Sequence, residues 1–433
     1  LADRAELASQ LAARHRAYFL AVADDADRRL DGPDQQAALS GLAREHPNLL
    51  RALDHAIALG ETADAHALAA ALGRYWRWSG HVREALDRFE RLRALPGPTD
   101  PTSTRVRSLL AEGLLLEKAG RYAPADRAFE AALVGAQVLG DAALAAAARC
   151  DQATVAWRRG DLETARAKLD EACATYRELG RDAALAGTLG NLGNVLRDAG
   201  DLTAAHAHYD EALSLAERID HVWEIANVRN NKAIAFAYGD DLEAARGEFE
   251  HALALQRSIE NRPGVSRSLT NLGNVHLDTG DLEGAEALYR EALALTEQLG
   301  DLEGTAHLFV NLGVLAQWSG AYDEAHDLYG RSLRVRRDLG ARGLAAQSVS
   351  CFLDLAVARG AHERALVLAG AVRALSRAIG VPLTARQQHV YDEALAAARA
   401  AVPAHRAGEL ERRGEDLTER EAIAFALAER TVA

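Results

Sequence analysis

Ten asparagines occur in this 433-residue chain, and eight of them lie close together: Asn191, Asn194, Asn227, Asn230, Asn231, Asn271, Asn274 and Asn311. Four of the eight, Asn191, Asn231, Asn271 and Asn311, recur every 40 residues. A primary amide carries both donors and acceptors, which suits it to grip the backbone of an extended peptide. The same property suits a ladder of hydrogen bonds between neighbouring structural elements, and both readings stand for these four. Asn194, Asn230 and Asn274 are the better placed to meet a ligand. Asn is a mediocre helix former, so a cluster of this kind inside helical sequence calls for a cause.

Catalytic chemistry finds no foothold. The only lysines are Lys118, Lys168 and Lys232, and none follows a Gly-rich phosphate loop. No His-Glu-x-x-His, nucleophile elbow or paired-cysteine zinc motif occurs, so no catalytic residue, cofactor or metal site is expected. His206 and His208 stand two apart on a helix, diverge, and read as surface histidines. Cys150, Cys173 and Cys351 lack metal-like spacing and lie in apolar helical sequence, which predicts buried free thiols in a reducing compartment.

The formal net charge of −13 argues against direct binding to DNA or RNA, which calls for a basic face. No apolar run is long enough to span a bilayer and no signal-peptide core opens the chain, so a soluble, cytoplasmic protein is expected. The chain contains no Met and begins on Leu. It therefore reads as a piece of a longer protein whose upstream part holds the chemistry.

The elements that carry these residues follow from the punctuation. Gly80, Gly120, Gly160, Gly200, Asp240, Gly280, Gly320 and Gly360 are spaced by 40, and Gly140, Gly180, Asp220, Glu260, Gly300, Gly340 and Gly380 fall midway. Glycine takes the left-handed conformation that ends a helix. Asp141, Asp161, Asp201, Asp281 and Asp301 follow as N-caps. Segments of about 18 helical residues thus alternate with short turns, an all-α array of eight helix pairs over residues 62–380. Five residues after each main turn stands an alanine, from Ala85 to Ala365 without exception. Four further on come Phe89, Phe129, Leu169, Tyr209, Phe249, Tyr289 and Tyr329, expected to fill the space between neighbouring pairs. Gly73, Gly113, Gly193, Gly273 and Gly313 precede the turns by seven residues, with Ala153 and Ala233 in their place elsewhere.

Such small–large spacing, as in Asn191-Leu192-Gly193-Asn194 followed by Ala205, Tyr209 and Ala212, resembles the tetratricopeptide repeat. That repeat has about 34 residues, so each helix here is longer by roughly three. The resemblance implies a right-handed α-solenoid in which the first helix of each pair lines a concave groove. It places the asparagines there, together with Arg197, Asp198, Tyr238, Arg267, Asp278, His307 and Trp318, with Trp223 at the border. Trp76, Trp78 and Trp157 are assigned to packing.

Residues 1–61 and 381–433 depart from the repeat and are expected to form an N-terminal helical linker or cap and a C-terminal helical cap. One N-terminal helix is expected through Tyr18 and Phe19 up to Asp31-Gly32-Pro33, and another from about Asn48 to Leu59. Pro96, Pro98 and Pro101 mark an irregular link, and Thr384-x-x-Gln387 and Thr418-x-x-Glu421 read as capping boxes. The stretches from His15 to Leu20, from Glu45 to Leu53 and Tyr75-Trp-Arg-Trp-Ser-Gly-His, with the ending from Leu417 to Leu427, resemble the sensor region of bacterial STAND-class signal-transduction ATPases, many of them transcription regulators. By that resemblance the chain is a non-catalytic sensor scaffold. It would bind a protein, peptide or small-molecule signal, and it could contact its own upstream nucleotide-binding domain. A constitutive adaptor and a cryptic enzyme are the alternatives.

Overall fold

The computed structural model describes residues 2–30, 34–95, 101–339, 342–379 and 385–428. Among them the regular secondary structure is helical throughout, in twenty-one helices with no strand. The chain forms two compact units, Leu1–Ser268 and Leu269–Ala433.

The first unit begins with α1 (Ala2–Arg29) and α2 (Gln35–Leu59). Helix pairs follow: α3 (Thr62–Ser79) with α4 (Val82–Arg93), α5 (Ser103–Lys118) with α6 (Tyr122–Leu139), α7 (Ala142–Arg158) with α8 (Leu162–Glu178), α9 (Asp182–Asp198) with α10 (Leu202–Arg218), and α11 (Val222–Tyr238) with α12 (Leu242–Ser258). The division between units falls inside α13 (Arg262–Asp278). The second unit continues through α14 (Leu282–Leu299), α15 (Leu302–Trp318), α16 (Tyr322–Asp338), α17 (Arg342–Ala358) and α18 (His362–Ile379). It closes with α19 (Ala385–Ala401), α20 (Ala404–Glu415) and α21 (Glu419–Leu427). Most helices pack chiefly on their neighbours in the chain, while α3 packs chiefly on α5 and α20 on α18, the arrangement of an α-solenoid of tetratricopeptide-like pairs with a helical end.

The turns work as their residues require. Gly80, Gly120, Gly160, Gly200, Gly280, Gly320 and Gly360 all have positive φ, as do Asp220, Asp240 and Glu260 at 53°, 62° and 53°. Gly340, Gly380, Asp31-Gly32-Pro33, Pro96, Pro98 and the Thr384 capping box lie outside the described residues. Asp141, Asp161, Asp201, Asp281 and Asp301 each accept a hydrogen bond from the backbone N–H three residues on, and so does Asp241. Thr418 and Glu421 close the expected capping box.

In four pairs, α5–α6, α9–α10, α13–α14 and α15–α16, the second helix lays an aromatic ring on a glycine of the first. A methyl group on Gly273 would stand 2.6 Å from the Tyr289 ring and one on Gly313 2.5 Å from Tyr329; Gly113 and Gly193 face Phe129 and Tyr209 in the same way. These rings therefore fill the space within a pair, and Tyr329 also meets Phe352 of the next pair edge to face, with centroids 5.8 Å apart, as the spacing had suggested. The reason is geometric: only a first helix without a Cβ at that point lets a ring lie flush against its backbone. The alanines from Ala85 to Ala365 are fully buried alongside.

Helix α2 corrects an expectation. It starts at Gln35, and Pro47 sits within it. A proline inside a helix costs about 3 kcal/mol. Ala38, Leu42, Leu49 and Leu53 form one buried stripe across it, and each large apolar side chain buried contributes about 1.5–3 kcal/mol. Continuing the helix wins. In the second unit α20 crosses α18 where Gly414 and Gly370 bring the two backbones together, and Glu411 takes Arg373 and both ends of the Arg399 guanidinium.

Two substitutions test this account by urea denaturation followed by far-ultraviolet circular dichroism. Glu260→Gly removes a side chain from a left-handed turn and is expected to stabilise by about 0.5–1 kcal/mol. Gly273→Ala is expected to destabilise by about 1–3 kcal/mol, because Tyr289 is packed on that point; an unchanged midpoint would mean that the ring does not hold the pair.

Candidate functional site

One position of the 40-residue period is held by Asp151 on α7, Asn191 on α9 and Asn231 on α11 in the first unit, and by Asn271 on α13 and Asn311 on α15 in the second. Asn191 is exposed and the next three asparagines are half-buried. The clustered asparagines take part in bonds between first helices. In the first unit Arg267 donates from Nη2 to Oδ1 of Asn227. In the second, Asn311 Nδ2 donates to Asn274 Oδ1 over 3.2 Å.

Asn194 and Asn230, expected to meet a ligand, are buried, at 7% and 1% exposure. The Tyr209 hydroxyl donates to Asn194 Oδ1 over 2.9 Å and Arg197 Nη1 donates to the same oxygen over 3.3 Å. Asn274 is half-buried and accepts from the Tyr289 hydroxyl over 2.7 Å. The physical reason lies in the ring contact just described. A tyrosine pressed onto the first helix buries its hydroxyl, which must find an acceptor, and the asparagine one position beyond the glycine supplies it. Where the ring is Phe129 or Phe249, the equivalent residues are the apolar Leu114 and Ile234. Asn194 and Asn274 are thus explained by structure.

What remains on the surface is a mixed polar face. In the first unit Arg267 is exposed, yet the surrounding protein desolvates it enough to lower its pKa against the pull of Glu224. Nearby, Arg197 is buried, pairs with Asp198 at 2.8 Å and lies 5.3 Å from the centre of the exposed Tyr238 ring. Trp157 donates from its indole nitrogen to Asp198 over 2.7 Å, so it ties two pairs together; Trp76 is fully buried, while Trp78 is 40% exposed. In the second unit His307 is exposed by area but lowered to about 4, by desolvation first and then by Arg336. It is neutral at physiological pH. Trp318 and Asp278 are exposed there as well.

Sequence reasoning missed Asp151 and Glu224. Asp151 occupies the register of the asparagine column, a signal available from the 40-residue spacing. Burial pushes its carboxyl up to about 7, with Arg77 opposing and Glu117 adding to the rise. The thiols of Cys150, Cys173 and Cys351 are raised to about 12, 12 and 11 by burial, which keeps them protonated and unreactive at neutral pH. Cys173 is buried as expected, whereas Cys150 and Cys351 are half-buried. His206 and His208 are half-buried too, and His206 packs 4.3 Å from the Phe236 ring. No helix among the described residues is long and apolar enough to cross a membrane.

Residues 183–258, 224–298 and 264–338 match the sequence profile of the tetratricopeptide repeat. Comparison with curated proteins gave no match. Among solved structures, the chain is similar to a Rap protein complexed with Competence and Sporulation Factor (14% identity, 78% of this chain and 96% of that one, TM-score 0.51). It is also similar to a STAND protein with a tetratricopeptide repeat sensor from Pyrococcus horikoshii (14% identity, 77% of this chain and 55% of that one, TM-score 0.48). A third is BtubC from P. vanneervenii (23% identity, 57% and 92%, TM-score 0.40). At these identities the likeness is one of fold.

The raised Asp151 carboxyl has a measurable consequence. Its folded-state pKa lies above the unfolded value near 3.8, so the folded protein binds the extra proton and loses stability as pH rises from about 4 to 7. Asp151→Asn is therefore expected to raise the melting temperature at pH 8 and to change it little at pH 4; an equal effect at both would contradict the assignment.

Proposed function

We propose that this chain is a non-catalytic binding scaffold, the sensor part of a STAND-type regulator, and that the polar face of its first unit around Arg267 and Asn227 takes an extended polar peptide or a protein segment. The observation that carries the reading is Arg267 beside Asn227: a partly desolvated guanidinium on a solvent-reachable face. A guanidinium has five N–H donors, so the bond to Asn227 leaves capacity for a carboxylate or a backbone carbonyl. Desolvation before binding lowers what the ligand must displace; half-buried Asn231 on the helix of Asn227 and exposed Asn191 on α9 add donors and acceptors. The mixed charge of Arg267, Glu224 and Asp151 favours a polar ligand over an apolar one.

The Rap protein of similar fold is complexed with Competence and Sporulation Factor. From it we carry over only that such a helix array can present a binding surface. The resemblance of the flanking stretches to STAND regulators supports the sensor role, in which a ligand shifts a parent protein between two states by binding one of them better.

A displayed peptide library selected on the wild-type chain tests the reading. The selected ligand is expected to bind the Asn191→Ala, Asn231→Ala, Arg267→Ala variant at least tenfold more weakly, about 1.4 kcal/mol. The exposed Arg166→Ala on α8 serves as the control and is expected to bind as wild type. Equal dissociation constants for the wild type and the triple variant would place recognition elsewhere. Addition of the ligand to the parent regulator is expected to change its rate of nucleotide hydrolysis; an unchanged rate would leave a constitutive adaptor.

A further inference from the structure

The first unit brings together three side chains that no sequence motif joins. His46 lies on α2, His81 is the residue immediately before α4, and Glu84 lies in the first turn of α4. His46 Nε2 is 3.1 Å from Glu84 Oε2, and His81 Nδ1 is 3.5 Å from the same oxygen. The two imidazoles stack with centroids 4.3 Å apart, and the potential ligand atoms of the three residues lie within 4.8 Å of one another. From these distances we propose that His46, His81 and Glu84 bind a divalent first-row transition metal ion, zinc in the first instance.

Three arguments support the site. The first is geometric. Metal–nitrogen and metal–oxygen bonds of about 2.0–2.2 Å in a tetrahedron put ligand atoms roughly 3.3–3.5 Å apart, close to the two separations found. The second is chemical. Two imidazoles with one carboxylate form a borderline donor set that suits zinc, cobalt or nickel, whereas magnesium and calcium prefer all-oxygen sites. Three protein ligands leave a fourth position for water or a further group.

The third argument concerns support and access. Glu84 Oε1 lies 3.3 Å from Arg88 Nη1, and Arg88 Nη2 binds Asp54 at 2.8 Å. The carboxylate is thus held from behind with its other oxygen toward the imidazoles, and Asp54 offsets the charge of the arginine. The His46 side chain is 14% exposed, against 42% for His81 and 38% for Glu84, so one ligand is anchored while the other two are reachable by an ion. His46 Nδ1 makes no hydrogen bond, so a metal bond at Nε2 replaces only the contact with Glu84. An ion here would tie α2 to the start of α4. Both histidines belong to the stretches Glu45–Leu53 and Tyr75–His81, to which the peptide-binding face assigns no role. The proposal does not depend on that face.

Titration of metal-free protein with Co2+, read by visible absorption, and with Zn2+, read by calorimetry, tests the site. The wild type is expected to give a tetrahedral cobalt spectrum that zinc abolishes. His81→Ala and Glu84→Gln are expected to bind at least tenfold more weakly and to lose that spectrum. His389→Ala, which removes the exposed pair with Glu393, is expected to leave both unchanged. Modification of the wild type by diethyl pyrocarbonate, mapped by mass spectrometry, needs no variant: zinc is expected to protect His46 and His81 selectively. No cobalt spectrum in the wild type, wild-type affinity in folded His81→Ala and Glu84→Gln, or no protection of the two histidines would each overturn the proposal.

Discussion

Four of the helix pairs are fixed by an aromatic side chain of the second helix lying against a glycine of the first. Gly193 under Tyr209 and Gly273 under Tyr289 show the limiting case, where even a methyl group would overlap the ring. This contact sets the separation of the two helices, and the fully buried alanines of the second helix set it again a turn earlier. Protein interiors are packed as densely as crystals, so a spacing defined at two points per pair passes to the rest of the pair with little slack.

The same contact dictates part of the polar chemistry. A tyrosine ring in that position carries a hydroxyl into the interior, and a buried hydroxyl without a partner is costly. Asn194 and Asn274 take up the hydroxyls of Tyr209 and Tyr289, while Tyr329 donates instead to Gln317. Two of the eight clustered asparagines are thereby spent on packing. The surface that remains is defined by residues outside that demand, Asn191, Asn227 and Arg267 in the first unit and His307 and Trp318 in the second. Arg267 and His307 carry depressed pKa values for one reason, desolvation by surrounding protein, although both remain in reach of solvent.

Much of the fold was legible because its signals are local. A glycine with positive φ, an aspartate capping the next helix and a small residue at a fixed offset act over four or five residues, and repetition every 40 residues made them unmistakable. Even the departures were readable, since Asp220, Asp240 and Glu260 stand where the period requires a left-handed residue. The start of α2 escaped the expected helix from about Asn48 because it answers a tertiary demand: the buried stripe from Ala38 to Leu53 outweighs the one helical hydrogen bond that Pro47 cannot make. The role of Asn194 was misread although its cause is written in the chain. The residue fifteen positions on is a tyrosine, and the pairing becomes visible only when the ring is known to fold back on its own pair.

The sequence by itself determined the helices, their turns, their caps and the periodic core, since each depends on backbone preference and on residues within one or two turns. Tertiary structure alone decided which face of a first helix meets solvent, because two residues one position apart, Asn230 and Asn231, differ in burial only through what packs against them. It alone made Arg267 a partly desolvated cation, because desolvation depends on what packs around a side chain and not on its neighbours in the sequence. It also brought His46 to His81 and Glu84, separated by 35 and 38 positions in the chain, since proximity across that distance follows from packing and not from spacing.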